Sequence, residues 1–165
     1  MKTKLCTLAL IFCIQIINAQ ESLSSIVKEN AKTFSIQNNQ FVGDGWNQVL
    51  GQIKTHNNIL IGEDHFFNEV PFFVSKISSE VKFDNFFCEI DPYSAKIIEK
   101  KIKTLSHQKL EQYTKKFSNT FSFYALDPEF KLLKKFALSK TNIIGTDQIV
   151  LNADRLIFSE LKKET

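Results

Sequence analysis

Four polar side chains lie just after apolar runs of the sequence, and their types suit acid–base or metal chemistry. They are Glu63, His65, Glu89 and Asp147. A histidine held by a carboxylate can take a proton from water near neutral pH. Crowded carboxylates shift one another's pKa values, which can supply an acid and a base in one pocket. The same set could bind a divalent metal, with His65, Glu63 and Glu89 as candidate ligands, and spacing alone does not decide between these chemistries.

Two further acids, Glu69 and Asp91, are candidates for supporting roles, and each also has a structural explanation. Glu69 falls in the first turn of a predicted helix, where the helix dipole favours an acid. Asp91 precedes Pro92, and this pair is typical of a helix start. Glu89 differs because it interrupts the apolar run of residues 86–90. Burying a charged side chain costs free energy unless a partner or a function compensates for it. We therefore predict that Glu89 is a buried, functional carboxylate.

Three short runs of the sequence predict the strands that position these residues. The runs cover residues 59–62, 85–90 and 142–145, and their apolar, often β-branched or aromatic content is typical of strands buried on both faces. Amphipathic helical patterns separate them. This alternation predicts an α/β fold with a parallel sheet flanked by helices. Because ligands of such sheets bind beyond the carboxyl ends of the strands, we expect the candidate residues to gather at one edge.

Helical periodicity and polar composition account for the rest of the chain. We predict helices over residues 21–34 and 46–53, further helices beginning near Asn68, Asp91, Ser106 and Asp127, and a last amphipathic segment that runs to the C-terminus. Residues 38–45 are rich in Asn and Gly and predict a loop, and residues 117–124 predict a second loop.

The first 19 residues have the parts of a secretory signal peptide. Lys2 and Lys4 are followed by a mostly apolar run over residues 5–17 and by a cleavage site after Ala19. The run is shorter than the roughly 20 residues that span a bilayer. We therefore expect export to the periplasm or the extracellular space, with no stable membrane anchor after cleavage. The remainder divides into an N-terminal helical segment, residues 20–57, and an α/β core, residues 58–165.

Composition narrows the classes of partner. A formal net charge of +3 is too small to indicate nucleic-acid binding. Arg155 is the one arginine, which disfavours bidentate recognition of phosphate-rich ligands. Cys88 is the one cysteine beyond the signal segment, and its apolar neighbours predict a buried side chain rather than a nucleophile. A small-molecule or peptide substrate is compatible with this composition.

Read together, the strand-end motifs resemble the Tiki/haem-uptake/erythromycin-esterase superfamily. Proteins of this superfamily carry a Gly-Glu-x-His or Gly-Glu-x-x-His motif after the first core strand, a second strand that ends in glutamate, and a later Gly-x-Asp strand end. The stretches that carry the resemblance here are Gly62-Glu63-Asp64-His65 with Glu69 downstream, residues 86–91 and residues 143–147. The similarity covers roughly residues 59–161.

The resemblance implies an exported hydrolase of a small ester, lactone or peptide. His65 would act as general base on water or as a metal ligand. Glu63 and Glu89 would orient it or share the metal, and Asp147 would complete the pocket. The one-residue spacing between Glu63 and His65 fits the Tiki and haem-uptake branches. The superfamily's second histidine motif is not found downstream in these 165 residues, so we expect the chain to match the N-terminal part of a larger fold.

Two alternatives to the hydrolase remain open. One is a protein that binds haem or another small ligand without catalysis, which would need an open apolar pocket beside His65. The other is a truncated scaffold without activity. The metal, if any, and the substrate are left undecided by the sequence.

Overall fold

The computed structural model describes residues 23–62, 64–118, 120–121, 124 and 126–163. The predicted signal peptide and Glu63 lie outside the described residues. The chain is mixed α/β and divides into two compact units, Met1–Thr55 and His56–Thr165. In the described part, each unit holds one two-stranded sheet, antiparallel in the first and parallel in the second. None of the described helices combines the length and the apolar composition needed to cross a membrane.

The first unit contains a β-hairpin where the sequence predicted a loop. Its described elements are α1 over residues 23–30, β1 (Ser35–Gln37), β2 (Gln40–Val42) and α2 (Asp44–Lys54). Asn38 and Asn39 join the strands with φ angles of 49° and 61°. Two successive residues with positive φ form the turn that matches the twist of hairpin strands, and asparagine tolerates this conformation. The Asn-Asn pair was thus a readable hairpin signal.

Aromatic side chains form the core of the first unit. Phe41 packs against Trp46 with ring centroids 4.8 Å apart, and against Phe34 edge-on at 5.2 Å. Trp46, Leu50 and Ile53 are buried along one face of α2. This confirms the helix and the apolar face that the periodicity predicted.

The second unit contains most of the predicted helices and two of the three predicted strands. Its elements are α3 (Glu69–Glu80), β3 (Asn85–Cys88), α4 (Pro92–Thr104), α5 (His107–Lys116), α6 (Asp127–Ala137), β4 (Asn142–Gly145), a 3-10 turn (Leu151–Ala153) and α7 (Asp154–Leu161). β3 and β4 pair in parallel, with Phe86 opposite Ile143 and Cys88 opposite Gly145. β3 ends two residues before the predicted strand does.

The predicted strand over residues 59–62 is wrong. These residues have no regular structure and make no ladder hydrogen bonds with β3. Leu60, in the middle of the run, is 98% exposed. A short apolar run becomes a strand only where a neighbouring strand satisfies its backbone and a core covers its side chains.

The parallel pair presents alternate residues to its two faces. Phe86 stacks on Phe136 of α6 at 4.1 Å, and Cys88 is buried in the same core, against which α4 and α6 pack. Phe87 points to the opposite face and is 62% exposed. This alternation has a period of two, as expected for a strand with one covered face.

Gly145 brings the end of β4 into close contact with the turn between β3 and α4. A Cβ atom at Gly145 would lie 2.4 Å from the carbonyl oxygen of Ile90 and 2.7 Å from that of Asp91. No side chain can occupy that space without displacing backbone, so the close approach requires glycine. Asp91 meanwhile accepts hydrogen bonds from the N–H groups of Tyr93 and Ser94, which confirms the predicted helix start.

A cluster around Glu160 joins α7 to α4 and α5. Lys101 Nζ lies 2.6 Å from Glu160 Oε2, Lys163 Nζ lies 2.5 Å from Oε1, and the Tyr113 hydroxyl donates to Oε1 at 3.3 Å. Partial burial acts to raise the pKa of Glu160, but the hydrogen bonds and charges of Lys101 and Lys163 outweigh it, and the pKa is lowered below its usual value of 4.5. Burial, and after it the charge and hydrogen bond of the Glu160 carboxylate, raise the pKa of the Tyr113 hydroxyl.

Gly145→Ala is expected to lower the free energy of unfolding by roughly 1–3 kcal/mol, because the added methyl group overlaps the backbone of Ile90 and Asp91. Gly62→Ala is the matched control, since nothing lies within 4 Å of the corresponding position. The control should change stability by less than about 0.5 kcal/mol. Urea unfolding followed by circular dichroism measures both. Equal stability of the two variants would contradict the close approach.

Glu160→Gln is expected to destabilise the fold by about 1 kcal/mol at pH 7 and by less at pH 3. A lowered folded-state pKa stabilises the fold above the unfolded value of 4.5, and this contribution is lost as the pH falls through the folded value. Urea unfolding at both pH values measures the difference. Glu99→Gln, which removes a carboxylate paired with the more exposed Lys103, should have a smaller effect at pH 7. A Glu160→Gln effect that is identical at pH 3 and pH 7 would contradict the assignment.

Candidate functional site

Backbone hydrogen bonds hold the segments after β3 and β4 together. The Thr146 N–H donates to the Cys88 carbonyl at 3.0 Å, and the Asp147 N–H donates to the Ile90 carbonyl at 3.2 Å. The Thr146 hydroxyl also donates to the Cys88 carbonyl, at 3.1 Å. The carboxyl ends of the two strands therefore meet at one edge of the sheet, and this edge carries Glu89.

A His–Glu pair lies at this edge. His65 comes from the turn before α3, and its Nε2 lies 3.6 Å from Glu89 Oε2. The distance is longer than the 2.9–3.0 Å typical of an N–H···O hydrogen bond, so the two groups are in contact without a formed bond. The His65 side chain is 33% exposed, so it can meet a dissolved substrate and still lies against protein. Among the predicted site residues that the structure describes, these two are brought together.

The residue after His65 has an unusual backbone. Phe66 has a φ angle of 74°, a region that bulky side chains rarely adopt. Such a conformation costs of order 1–3 kcal/mol and persists only where the surrounding structure imposes it. Strained residues of this kind concentrate at binding and catalytic sites, and this one fixes the direction in which the chain leaves His65.

The predicted burial of Glu89 is wrong. Its side chain is 59% exposed, although its neighbours Cys88 and Ile90 are buried. Alternation explains the difference, because Glu89 continues the exposed side of β3 that carries Phe87, while Cys88 and Ile90 continue the covered side. Glu89 is therefore a hydrated carboxylate beside His65.

Three other predicted site residues lie in the described part of the chain, and each is explained by its local position. The buried Asp91 caps α4. The Asp147 side chain accepts from the backbone N–H of Gln148 at 2.7 Å. Glu69 is exposed in the first turn of α3. Within the described part of the chain, which omits Glu63, no three His, Cys, Asp or Glu residues lie close enough together to hold a metal ion.

A cavity of about 410 Å³ lies along β3. Five consecutive residues, 85–89, line it, whereas a cavity on one face would be lined by every second residue. It therefore runs along the edge of β3 that is not paired with β4. Residues 59–61 border it together with side chains of α3 and α6. Most of this lining is apolar, and Glu89 belongs to it.

Glu129 is a second carboxylate in this cavity, and the sequence analysis missed it. It is 7% exposed, and its Oε2 has no hydrogen-bond partner among the described residues. Its place in the first turn of α6 is favourable by only ~0.3–1 kcal/mol, whereas an unsatisfied buried polar group costs about 1–3 kcal/mol. Among the described residues, the burial of Glu129 Oε2 is thus left without a compensating hydrogen bond.

The periodicity of α6 held a signal for Glu129. It lies three, four and seven residues before Leu132, Leu133 and Phe136, which are all buried. Glu129 therefore occupies a core position of the amphipathic pattern, whereas an acid that only favours the helix dipole would point to solvent. An acidic residue in register with the apolar stripe of a helix is therefore the sequence signal for a buried carboxylate.

Cys88 also lines the cavity but is unsuited to act as a nucleophile. Burial raises the pKa of its thiol to about 12, with a backbone hydrogen bond from Ile90 acting in the opposite direction. The thiolate is the reactive form of cysteine, so almost none is present near neutral pH. The prediction that the Cys88 side chain is buried is confirmed.

No protein-family model, curated protein or solved structure matches this chain.

Cys88 is expected to resist alkylation in the folded protein. Iodoacetamide at pH 8 should leave it unmodified over a time in which an unfolded control in urea reacts completely, because burial keeps the thiol protonated and covered. Peptide mapping by mass spectrometry follows Cys88 separately from Cys6 and Cys13. Rapid labelling under native conditions would show that the thiol is accessible and would reopen a nucleophilic role.

Proposed function

We propose that the protein is an exported hydrolase that acts on a small ester, lactone or peptide, with His65 as the general base. The observation that carries this proposal is the contact between His65 Nε2 and Glu89 Oε2, 3.6 Å apart, at the carboxyl end of β3 and next to a cavity that Glu89 helps to line. Exposed residues on turns beyond strand ends are a common position for catalytic groups.

The proposed chemistry needs one water molecule and the His–Glu pair. Glu89 accepts a hydrogen bond from Nε2–H of His65, and Nδ1 takes a proton from water as the water oxygen attacks the substrate carbonyl carbon. The tetrahedral intermediate then collapses, and the imidazolium returns the proton to the departing oxygen or nitrogen. Glu89 stabilises the imidazolium that forms in between. The 3.6 Å distance has to shorten on substrate binding, as is common for catalytic hydrogen bonds.

The proposal includes the larger architecture that the resemblance implies. We propose that β3 and β4 belong to a parallel sheet flanked by helices, and that the chain matches the N-terminal part of the Tiki/haem-uptake/erythromycin-esterase fold. The signal-like segment before residue 20 supports export. Glu63 would stand next to His65 in this arrangement and could assist it or share a metal with it.

Ligand binding without catalysis is the second candidate, and the apolar cavity favours it. A concave, mostly apolar space with a few polar groups is typical of small-ligand sites. The described lining of the cavity does not include His65, so haem held through His65 would lie outside the cavity rather than in it. Titration with haem, read from its visible absorption in wild type and His65→Ala, separates haem binding from the other uses of the site.

His65→Ala is expected to lower kcat/KM by about 10²–10⁴-fold in a screen of esters, lactones and peptides, because general-base catalysis contributes that much. Glu89→Gln should also lower kcat/KM, but by a smaller factor. Both residues are partly exposed, so each variant should keep its stability within about 0.5 kcal/mol.

His107→Ala is the matched control for this experiment. His107 Nε2 also lies 3.6 Å from a glutamate, Glu111, but on the exposed surface of α5. Its removal should leave turnover unchanged. Equal turnover by wild type and His65→Ala would rule out the proposed mechanism.

A further inference from the structure

We propose that the cavity beside β3 binds a small amphiphilic amine, whose apolar body fills the cavity and whose protonated amino group pairs with Glu129. Two observations point to this ligand class: an apolar space of about 410 Å³, and a carboxylate in its lining that is 93% buried and has an oxygen without a partner among the described residues. The volume is within the range of small-molecule sites.

The chemistry of Glu129 sets the polar end of the ligand. A carboxylate only accepts hydrogen bonds, so the group that completes its bonding must be a donor. An ammonium group donates hydrogen bonds and also neutralises the charge, and such charge-assisted bonds are roughly twice as strong as neutral ones. An alcohol offers the donor without the charge, and an anion offers neither. The preference should therefore be ammonium, then hydroxyl, then carboxylate.

The remaining lining sets the apolar end. Val74 and Ile77 of α3 border the cavity from one helix, and Leu132 and Phe136 of α6 border it from another. None of these side chains can hydrogen-bond, so polar groups along the body of the ligand would lose their water without compensation. The fitting body is a short alkyl or aromatic group.

Glu89 is the competing position for an amine, and its exposure makes it the weaker one. Its side chain is 59% exposed, so an ion pair there is screened by water. Glu129 lies in a drier environment, where the same pair is stronger. The inference goes beyond the proposed function, because binding at Glu129 requires no chemistry at His65.

Isothermal titration calorimetry with hexylammonium, 1-hexanol and hexanoate tests the proposal at one pH and ionic strength. Wild type should bind hexylammonium about tenfold or more tightly than hexanol, and hexanoate least. Glu129→Gln should bind hexanol as wild type does and lose the preference for the amine. Val74→Phe, which fills the cavity, should weaken binding of the amine and the alcohol together.

Two controls locate the amine and separate this inference from catalysis. Glu89→Gln and His65→Ala should both keep the amine preference, so a failed hydrolase screen leaves the binding result intact. The proposal is wrong if wild type binds hexylammonium no better than hexanol, or if Glu89→Gln rather than Glu129→Gln removes the preference. Thermal melts complete the test, because Glu129→Gln should melt at or above the wild-type temperature. A melting temperature several degrees lower would assign Glu129 a structural partner and overturn the proposal.

Discussion

The close contact between Gly145 and the carbonyl groups of Ile90 and Asp91 is the constraint on which the second unit depends. Because no side chain separates β4 from the turn after β3, the two strand ends share backbone hydrogen bonds, and α4 starts directly from the same turn at Asp91. The edge of the sheet that bears Glu89 is thereby fixed to the core rather than left to a loop. A functional group at such an edge is held by the scaffold, which is a requirement for catalysis at a defined distance.

The unpaired edge of β3 explains why this unit has a cavity. Residues 59–62 run past β3 without pairing with it, and the cavity occupies the space that borders both. If these residues formed a third strand, backbone hydrogen bonds would close the edge and the apolar lining would pack as core. The irregular segment therefore carries His65 towards Glu89 and leaves room for a ligand beside them. One departure from regular structure serves both the proposed reaction and the proposed binding site.

The two carboxylates of the cavity lie in opposite environments, which suits them to different tasks. Glu89 is hydrated and touches His65, so it can orient an imidazole and stabilise its cation. Glu129 is buried among apolar side chains, so its value lies in selecting a charged partner. Two groups of the same type often take different roles within one site because one is exposed and the other is buried.

Local signals of the sequence determined the helix starts, the two paired strands and the burial of Cys88, since these depend on residues a few positions apart. Asp91 caps α4 through the N–H groups of residues two and three positions further on, and the Asn38–Asn39 pair specified a hairpin that could have been read in the same way. Tertiary structure alone decided that residues 59–62 stay unpaired, that Glu89 faces water and that a cavity borders the buried face of α6, on which the periodicity had already placed Glu129. Whether a strand edge is paired and whether a face is buried depend on elements that are distant in the sequence. The local sequence of an apolar run or of a single acid is the same in either outcome.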